Sequence, residues 1–162
     1  MKNLLKYLAF ICFLFCLLSV NGQKRWKKFN SKSDGYSLLL PSSFELGPRL
    51  SNGIIQWFSD STHSDIQMWI EVDSNSKKAE ELFKEQKESF SNIKFNKLDE
   101  KSFVISGSQG MGLNKNAFYF KKCLINENSF CILGILYTDA SKVFIEKNIN
   151  KISDSFASIA KK

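Results

Sequence analysis

The nine residues CLINENSFC hold Cys123 and Cys131, the only two cysteines beyond residue 16. Two thiols at this spacing could form a disulfide, a redox pair or half of a zinc site. Structural zinc needs four ligands, and the rest of the chain past residue 16 offers one histidine and no further cysteine, so that set is incomplete. Redox pairs present C-x-x-C at a helix N-terminus, where the dipole lowers a thiol pKa; here seven residues intervene between two hydrophobic runs. Asn126-Glu127-Asn128-Ser129 is turn-forming, which puts the cysteines on the two arms of a hairpin. A three-residue loop centred on Glu127 sets Cys123 opposite Cys131, at a separation a disulfide can bridge. A two-residue loop shifts the register by one and sends the pair to different faces, leaving two buried thiols as the alternative. We expect the disulfide, worth about 2–3 kcal/mol for so short a loop.

Other chemistry-bearing groups are sparser. The single histidine, His63, lies in DSTHSD between Asp60 and Asp65. With those carboxylates it could hold a divalent cation, and with Ser61 or Ser64 it suggests a metal-dependent or triad hydrolase. Residues crowded into one loop point apart, however, and cannot set nucleophile, base and orienter in the geometry they require. A solvated turn is the simpler reading. GSQGMG, with Gly107, Gly110 and Gly112, fits neither phosphate-loop pattern and brings no basic side chain, so it reads as a strand end and a wide turn. No nucleophile, acid pair or ligand set assembles, and the chain is read as a non-enzyme that calls for no cofactor. Trp69 stands on the polar side of its segment beside Gln67 and Glu71, and Trp57 alternates with Ile55 in the segment before. Large amphipathic rings on a partly polar face suit a partner-binding surface; packing beneath a helix on that face is the structural alternative.

The elements that must position these residues follow from periodicity. Tyr36 to Leu40 forms a short strand stopped by Pro41, and SSFELGPRLSNG after it reads as a turn-rich excursion. Ile54 to Phe58 is the next strand. Ile66, Met68, Ile70 and Val72 then alternate with Gln67, Trp69 and Glu71 in a third. Ala79, Leu82, Phe83, Gln86 and Phe90 recur at helical spacing, with Ser76 as cap. Four strands follow, near Phe95 to Leu98, Phe103 to Ser108, Ala117 to Ile125 and Phe130 to Tyr137. A final helix capped by Asp139 or Ser141 carries the stripe Ile145, Ile149, Ile152, Phe156 and Ile159, read as core. Strands joined by short turns lack the crossovers a parallel sheet needs, so the order strands, helix, strands, helix predicts an α+β domain on a mainly antiparallel sheet.

At the N-terminus, two lysines precede an unbroken apolar run from Tyr7 to Val20, then small and polar residues, which is the layout of a secretory signal peptide. Fourteen apolar residues fall short of the roughly 20 a helix needs to cross hydrocarbon. Val20 and Gly22 supply the small side chains that cleavage before Gln23 requires. Of 162 residues, removing 1–22 leaves 140, the size of a single domain, 23–162. Loss of Lys2 and Lys6 takes the formal charge from +7 to +5, still basic, concentrated in QKRWKK. Such a segment could touch anionic lipid or polysaccharide, although a solvated tail explains it as well. Export argues against nucleic acid as a partner.

Two stretches carry a family resemblance. GYSLLLPSSF, a strand running into proline and then an aromatic, resembles the opening of PsbP-like domains. KNAFYFKKCLINENSFCILGILYTDASKVFIEKNINKISDSF is similar to their closing hairpin and helix, which ends in a Ser-Phe pair, here Ser155-Phe156. The resemblance implies an α/β/α sandwich with a central mainly antiparallel sheet, in an exported bacterial member of a family that works by binding. The expectation is therefore a monomeric, non-catalytic periplasmic or extracellular domain that binds a protein or envelope component through Trp57 and Trp69. A small-molecule or lipid carrier is the alternative, and it requires a cavity between sheet and helix.

Overall fold

The computed structural model describes residues 25–50, 55–74, 77–108 and 117–159. The leader at 1–22, the Ser76 cap, Gly110 and Gly112 lie outside the described residues. Among the described residues, ten strands and two helices run in the order β1 (Trp26–Ser31), β2 (Tyr36–Pro41), β3 (Phe44–Leu50), β4 (Ile55–Asp60), β5 (Gln67–Asp73), α1 (Ala79–Lys87), β6 (Asn92–Asp99), β7 (Ser102–Ser108), β8 (Phe118–Asn126), β9 (Ser129–Tyr137), α2 (Lys142–Ser155) and β10 (Ala157–Ser158). Seven strands pair antiparallel in the order β3-β4-β5-β9-β8-β7-β6, and β1-β2-β10 make a small second sheet.

Two cores sandwich the large sheet. On one face, Phe58, Met68, Ile70, Leu133 and Ile135 meet Leu38 and Leu40 of β2, Ile145 and Ile152 of α2 and Phe156 just past its end. On the other, Phe103, Ile105, Cys123, Phe130 and Ile132 meet Leu82 of α1, with Phe83, Phe90 and Ile93 packed around them. This is the α/β/α layering, with the three-stranded sheet sharing one outer layer with α2. The Ser155-Phe156 pair anchors that layer. The Ser155 hydroxyl accepts from the Leu39 N–H at 2.8 Å, and Phe156 is buried against Tyr36. Lys122 reaches from β8 to donate to the Ser153 carbonyl at 2.6 Å, which neutralises the negative end of α2. Among the described residues no helix is long and apolar enough to cross a membrane.

Three strands go beyond the sequence reading. Trp26, Lys27 and Lys28 of the basic segment open β1, paired with β2 through the turn at Gly35, whose φ of 78° only glycine adopts at little cost. The excursion after Pro41 is β3, an edge strand, where Pro48 costs no ladder bond and a register shift sits between Leu46 and Arg49. The pair Ala157–Ser158 adds β10 to β2.

The disulfide is corrected by the β8–β9 register. Asn126 pairs with Ser129, so the loop holds two residues, Glu127 and Asn128. Cys123 is opposite Ile132, and Cys131 is opposite Leu124. The two thiols therefore point to opposite faces, one into each core, and no bond joins them. Burial pushes the Cys123 thiol far above its ordinary value, so it is inert as a nucleophile.

Candidate functional site

Trp57 and Trp69 are directly opposed on β4 and β5, and opposed residues of an antiparallel pair share a face. The same row continues across the sheet as Gly134 on β9, Lys121 on β8 and Ile105 on β7. This is the α1 face, but the apolar residues that meet α1 come from β6 to β9. Toward β3 the face carries Glu45, Ser59 and Gln67, all exposed, with Ile55, Trp57, Trp69 and Glu71 half-buried. The rings form a ridge across the strands. Trp57 and Trp69 centroids lie 5.4 Å apart, Trp69 and Tyr119 5.6 Å, and Tyr119 and Phe90, just past the end of α1, 5.5 Å. Gly134 makes the ridge possible: a Cβ there would lie 2.3 Å from the Trp69 ring. The indole thus occupies the space over β9 that any other residue would fill.

The polar groups woven into the ridge are unusual for a sheet interior. Lys121 is 8% exposed, and its ammonium donates to Gln86 Oε1 at 2.5 Å and Ser89 Oγ at 3.2 Å at the end of α1. It also stands 5.0 Å from the Tyr119 ring centroid and 5.9 Å from that of Phe90. Burial lowers its pKa, with the Glu71 carboxylate opposing. Burial raises the pKa of Glu71, against the pull of Lys121, and Glu71 makes no hydrogen bond or ion pair among the described residues. Burial likewise pushes the Tyr119 hydroxyl up to about 12. The Trp57 indole N–H is buried and meets no acceptor, which costs about 1–3 kcal/mol.

The His63 loop is committed elsewhere. Asp60 is sequestered and accepts from the Thr62 N–H at 2.7 Å, Thr62 Oγ1 at 2.6 Å, Ser43 Oγ at 3.1 Å and the His63 N–H at 3.2 Å. Asp65 accepts from Thr138 Oγ1 at 2.6 Å and from Ser141 Oγ, which ties the loop to the start of α2. Ser141 is the cap position of α2, but its hydroxyl serves Asp65 and not the helix N–H groups. The His63 ring stacks on Phe144, centroids 4.1 Å apart. Both carboxylates thus spend their oxygens holding the loop shut. Among the described residues, no three His, Cys, Asp or Glu side chains stand where they could hold a metal ion.

The sequence marks Trp57 and Trp69 as aromatics on a polar side, and the structure brings them together. It does not place them beneath a helix: among the described residues α1 and the turn after it meet the ridge through Phe90 and the bonds of Lys121 to Gln86 and Ser89. Tyr119, Lys121 and Gly134 join them without a marked pattern in the sequence. Their signal is a charged residue interrupting an apolar strand, Lys121 in FYFKKCLIN, and a glycine inside FCILGILY.

No family model matches the chain, and no curated protein matches it in sequence. Solved structures do. The solution structure of cyanobacterial PsbP (CyanoP) from Synechocystis superposes with a TM-score of 0.63 at 10% identity, covering 85% of this chain and 94% of that chain. The crystal structure of the Saccharomyces cerevisiae Ran-binding protein Mog1p gives 0.59 at 7% identity, covering 85% and 97%. A point mutant of Mog1 gives 0.61 at 7% identity, covering 84% and 97%. At such identities the likeness is one of fold. The chain has a PsbP-like α+β fold, the layout that its opening strand and closing hairpin resemble.

Proposed function

We propose that the chain is an exported, monomeric, non-catalytic binding domain that holds a protein or cell-envelope component against the aromatic ridge. The observation that carries this is the pair Trp57–Trp69: two indoles 5.4 Å apart, half-buried, on the part of the sheet face that α1 leaves uncovered. Half-exposed indoles offer large contact area at small entropic cost, and such residues dominate binding energy where they occur. The Ran-binding activity named for one structural neighbour supports protein binding as a use of this fold.

The carrier reading is less well served. Leu82, Phe103 and Ile132, each 1% exposed, fill the space between α1 and the sheet where a ligand would sit. A cleft of about 840 Å³ opens instead at the start of α1 and the β6–β7 and β8–β9 turns, between charged walls such as Lys101, Glu100 and Glu127.

The test is recovery of bound molecules from extracytoplasmic extracts of the native cell, using the protein and a Trp57→Leu/Trp69→Leu variant with matching circular dichroism. The partner is expected to be lost from the variant, and the mature chain to begin at Gln23. An unchanged set of recovered molecules removes the ridge from the function.

A further inference from the structure

The ridge contains its own precedent for what it can hold. At its α1 end the Lys121 ammonium lies over the Tyr119 and Phe90 rings with Glu71 as its opposing charge. On the other side of Glu71 the face holds two indoles with no cation over them, and Glu45 stands on the outermost strand of the same face. Aromatic faces attract cations through their quadrupole, and a carboxylate beside them supplies the countercharge.

The charge distribution points the same way. The chain is basic, at +7, yet among the described residues of the uncovered half-face Glu45, Glu71 and Asp73 are acidic and no cation is exposed. At its α1 border stand Glu81 and Glu85, and the lysine there, Lys77, is held by Glu85 at 2.7 Å. Exposed lysines stand on the elements around it, Lys84 and Lys87 on α1, Lys147 and Lys151 on α2 and Lys27 and Lys28 on β1. A face that excludes its own protein's prevailing charge is complementary to a basic partner.

We propose that the Trp57–Trp69 half of the ridge, with Glu71 and Glu45, receives the cationic side chains of a basic segment of a partner polypeptide. This rests on the reading of the ridge as the binding surface and names the chemistry of its partner. Arginine is the preferred anchor, because a planar guanidinium stacks on an indole while pairing with a carboxylate. A segment crossing β4 and β5 would lay one guanidinium over the indole pair beside Glu71.

The experiment titrates hexa-arginine, hexa-lysine and hexa-glutamate into full-length mature protein carrying Trp26→Phe. That change leaves Trp57 and Trp69 as the only emitters. Hexa-arginine is expected to quench the emission and to bind about threefold or more tighter than hexa-lysine, with hexa-glutamate inert. Binding should weaken as salt rises, and Glu71→Gln should cost about fivefold in affinity. Hexa-arginine binding that survives both Glu71→Gln and Trp69→Leu places the cation elsewhere and overturns the proposal, as does equal binding of hexa-glutamate or no binding of either basic peptide. Self-association in sedimentation that Glu71→Gln abolishes would make the occupant a second copy, docked by its α2 side, and would also overturn it. Failure of the peptides with the ridge still required for capture from native extracts leaves the binding surface intact and removes only its cationic specificity.

Discussion

Gly134→Ala probes whether the ridge is built as described, because one methyl group has a single place to go. Its Cβ would lie 2.3 Å from Trp69 Cζ2, 2.4 Å from Cε2 and 2.9 Å from Cη2, all atoms of a rigid ring. Strand β9 cannot yield, since it is paired on both sides, to β5 and β8. The indole must therefore swing off the sheet and break its contacts with Trp57 and Tyr119. Each aromatic pair is worth about 0.5–1.5 kcal/mol, while alanine regains about 0.5–1 kcal/mol over glycine in a strand. The net cost should be about 1–2 kcal/mol, in line with overpacking elsewhere. With Trp69→Ala already present the clash is gone, and the same change should stabilise by about 0.5–1 kcal/mol. The assay is urea unfolding followed by far-ultraviolet circular dichroism on the four members of the cycle, with a red-shifted emission expected for Gly134→Ala alone. An equal cost in both backgrounds would refute the reasoning, since nothing but the indole gives the sign its reversal.

Three further outcomes follow. The urea midpoint should be the same with and without reductant, because Cys123 and Cys131 face opposite cores; a midpoint that falls on reduction would restore the staple of about 2–3 kcal/mol. Acid should destabilise the protein through Asp60 and Asp65. Burial alone would raise both carboxyls, but the donors around each outweigh it and hold them below the ordinary value. Their stabilisation is complete above the unfolded pKa of about 3.9 and is lost as pH falls below about 4 through the folded values. Asp65→Asn should flatten that limb. Glu71 has the opposite sign: its raised pKa penalises the fold above the ordinary value of about 4.3, so Glu71→Gln should leave the midpoint at neutral pH unchanged or higher. A steeper acid limb in Asp65→Asn, or a marked loss in Glu71→Gln, contradicts these assignments.

What the sequence made legible was whatever is written in local periodicity. Met68, Ile70 and Val72 against Gln67, Trp69 and Glu71 announce β5 and its two faces, and Ile145, Ile149 and Ile152 announce α2. Edge strands escape because only one side of them is constrained. FELGPRL in β3 carries a proline and a glycine that a central strand would refuse, and WKKFNS in β1 alternates too weakly to read. The hairpin failed on one residue. Asn126, Glu127, Asn128 and Ser129 all accept turn conformations, and the choice between two and three loop residues reverses which core each cysteine enters. The ridge is legible in its members and not in its assembly. Trp69 meets Tyr119 only because β9 lies between β5 and β8, a pairing order no local pattern encodes.

That order also explains why aromatics lie open here at all. Seven strands spaced about 4.8 Å apart span roughly 29 Å between the outer pair, while a helix is about 10–12 Å across with its side chains. On the first face the second sheet and α2 share the width. On the other face the nine residues of α1 cover β6 to β9 at most, and the remainder must be shielded by side chains alone. Leucine or isoleucine would do that with no polar atom left over, as the opposite core shows. The chain instead sets there an indole N–H without an acceptor and a half-buried carboxylate without a donor, each a cost to folding. A half-buried carboxylate held beside an aromatic row makes sense where an incoming group completes it, and a guanidinium over the two indoles supplies the donor and the charge that Glu71 lacks.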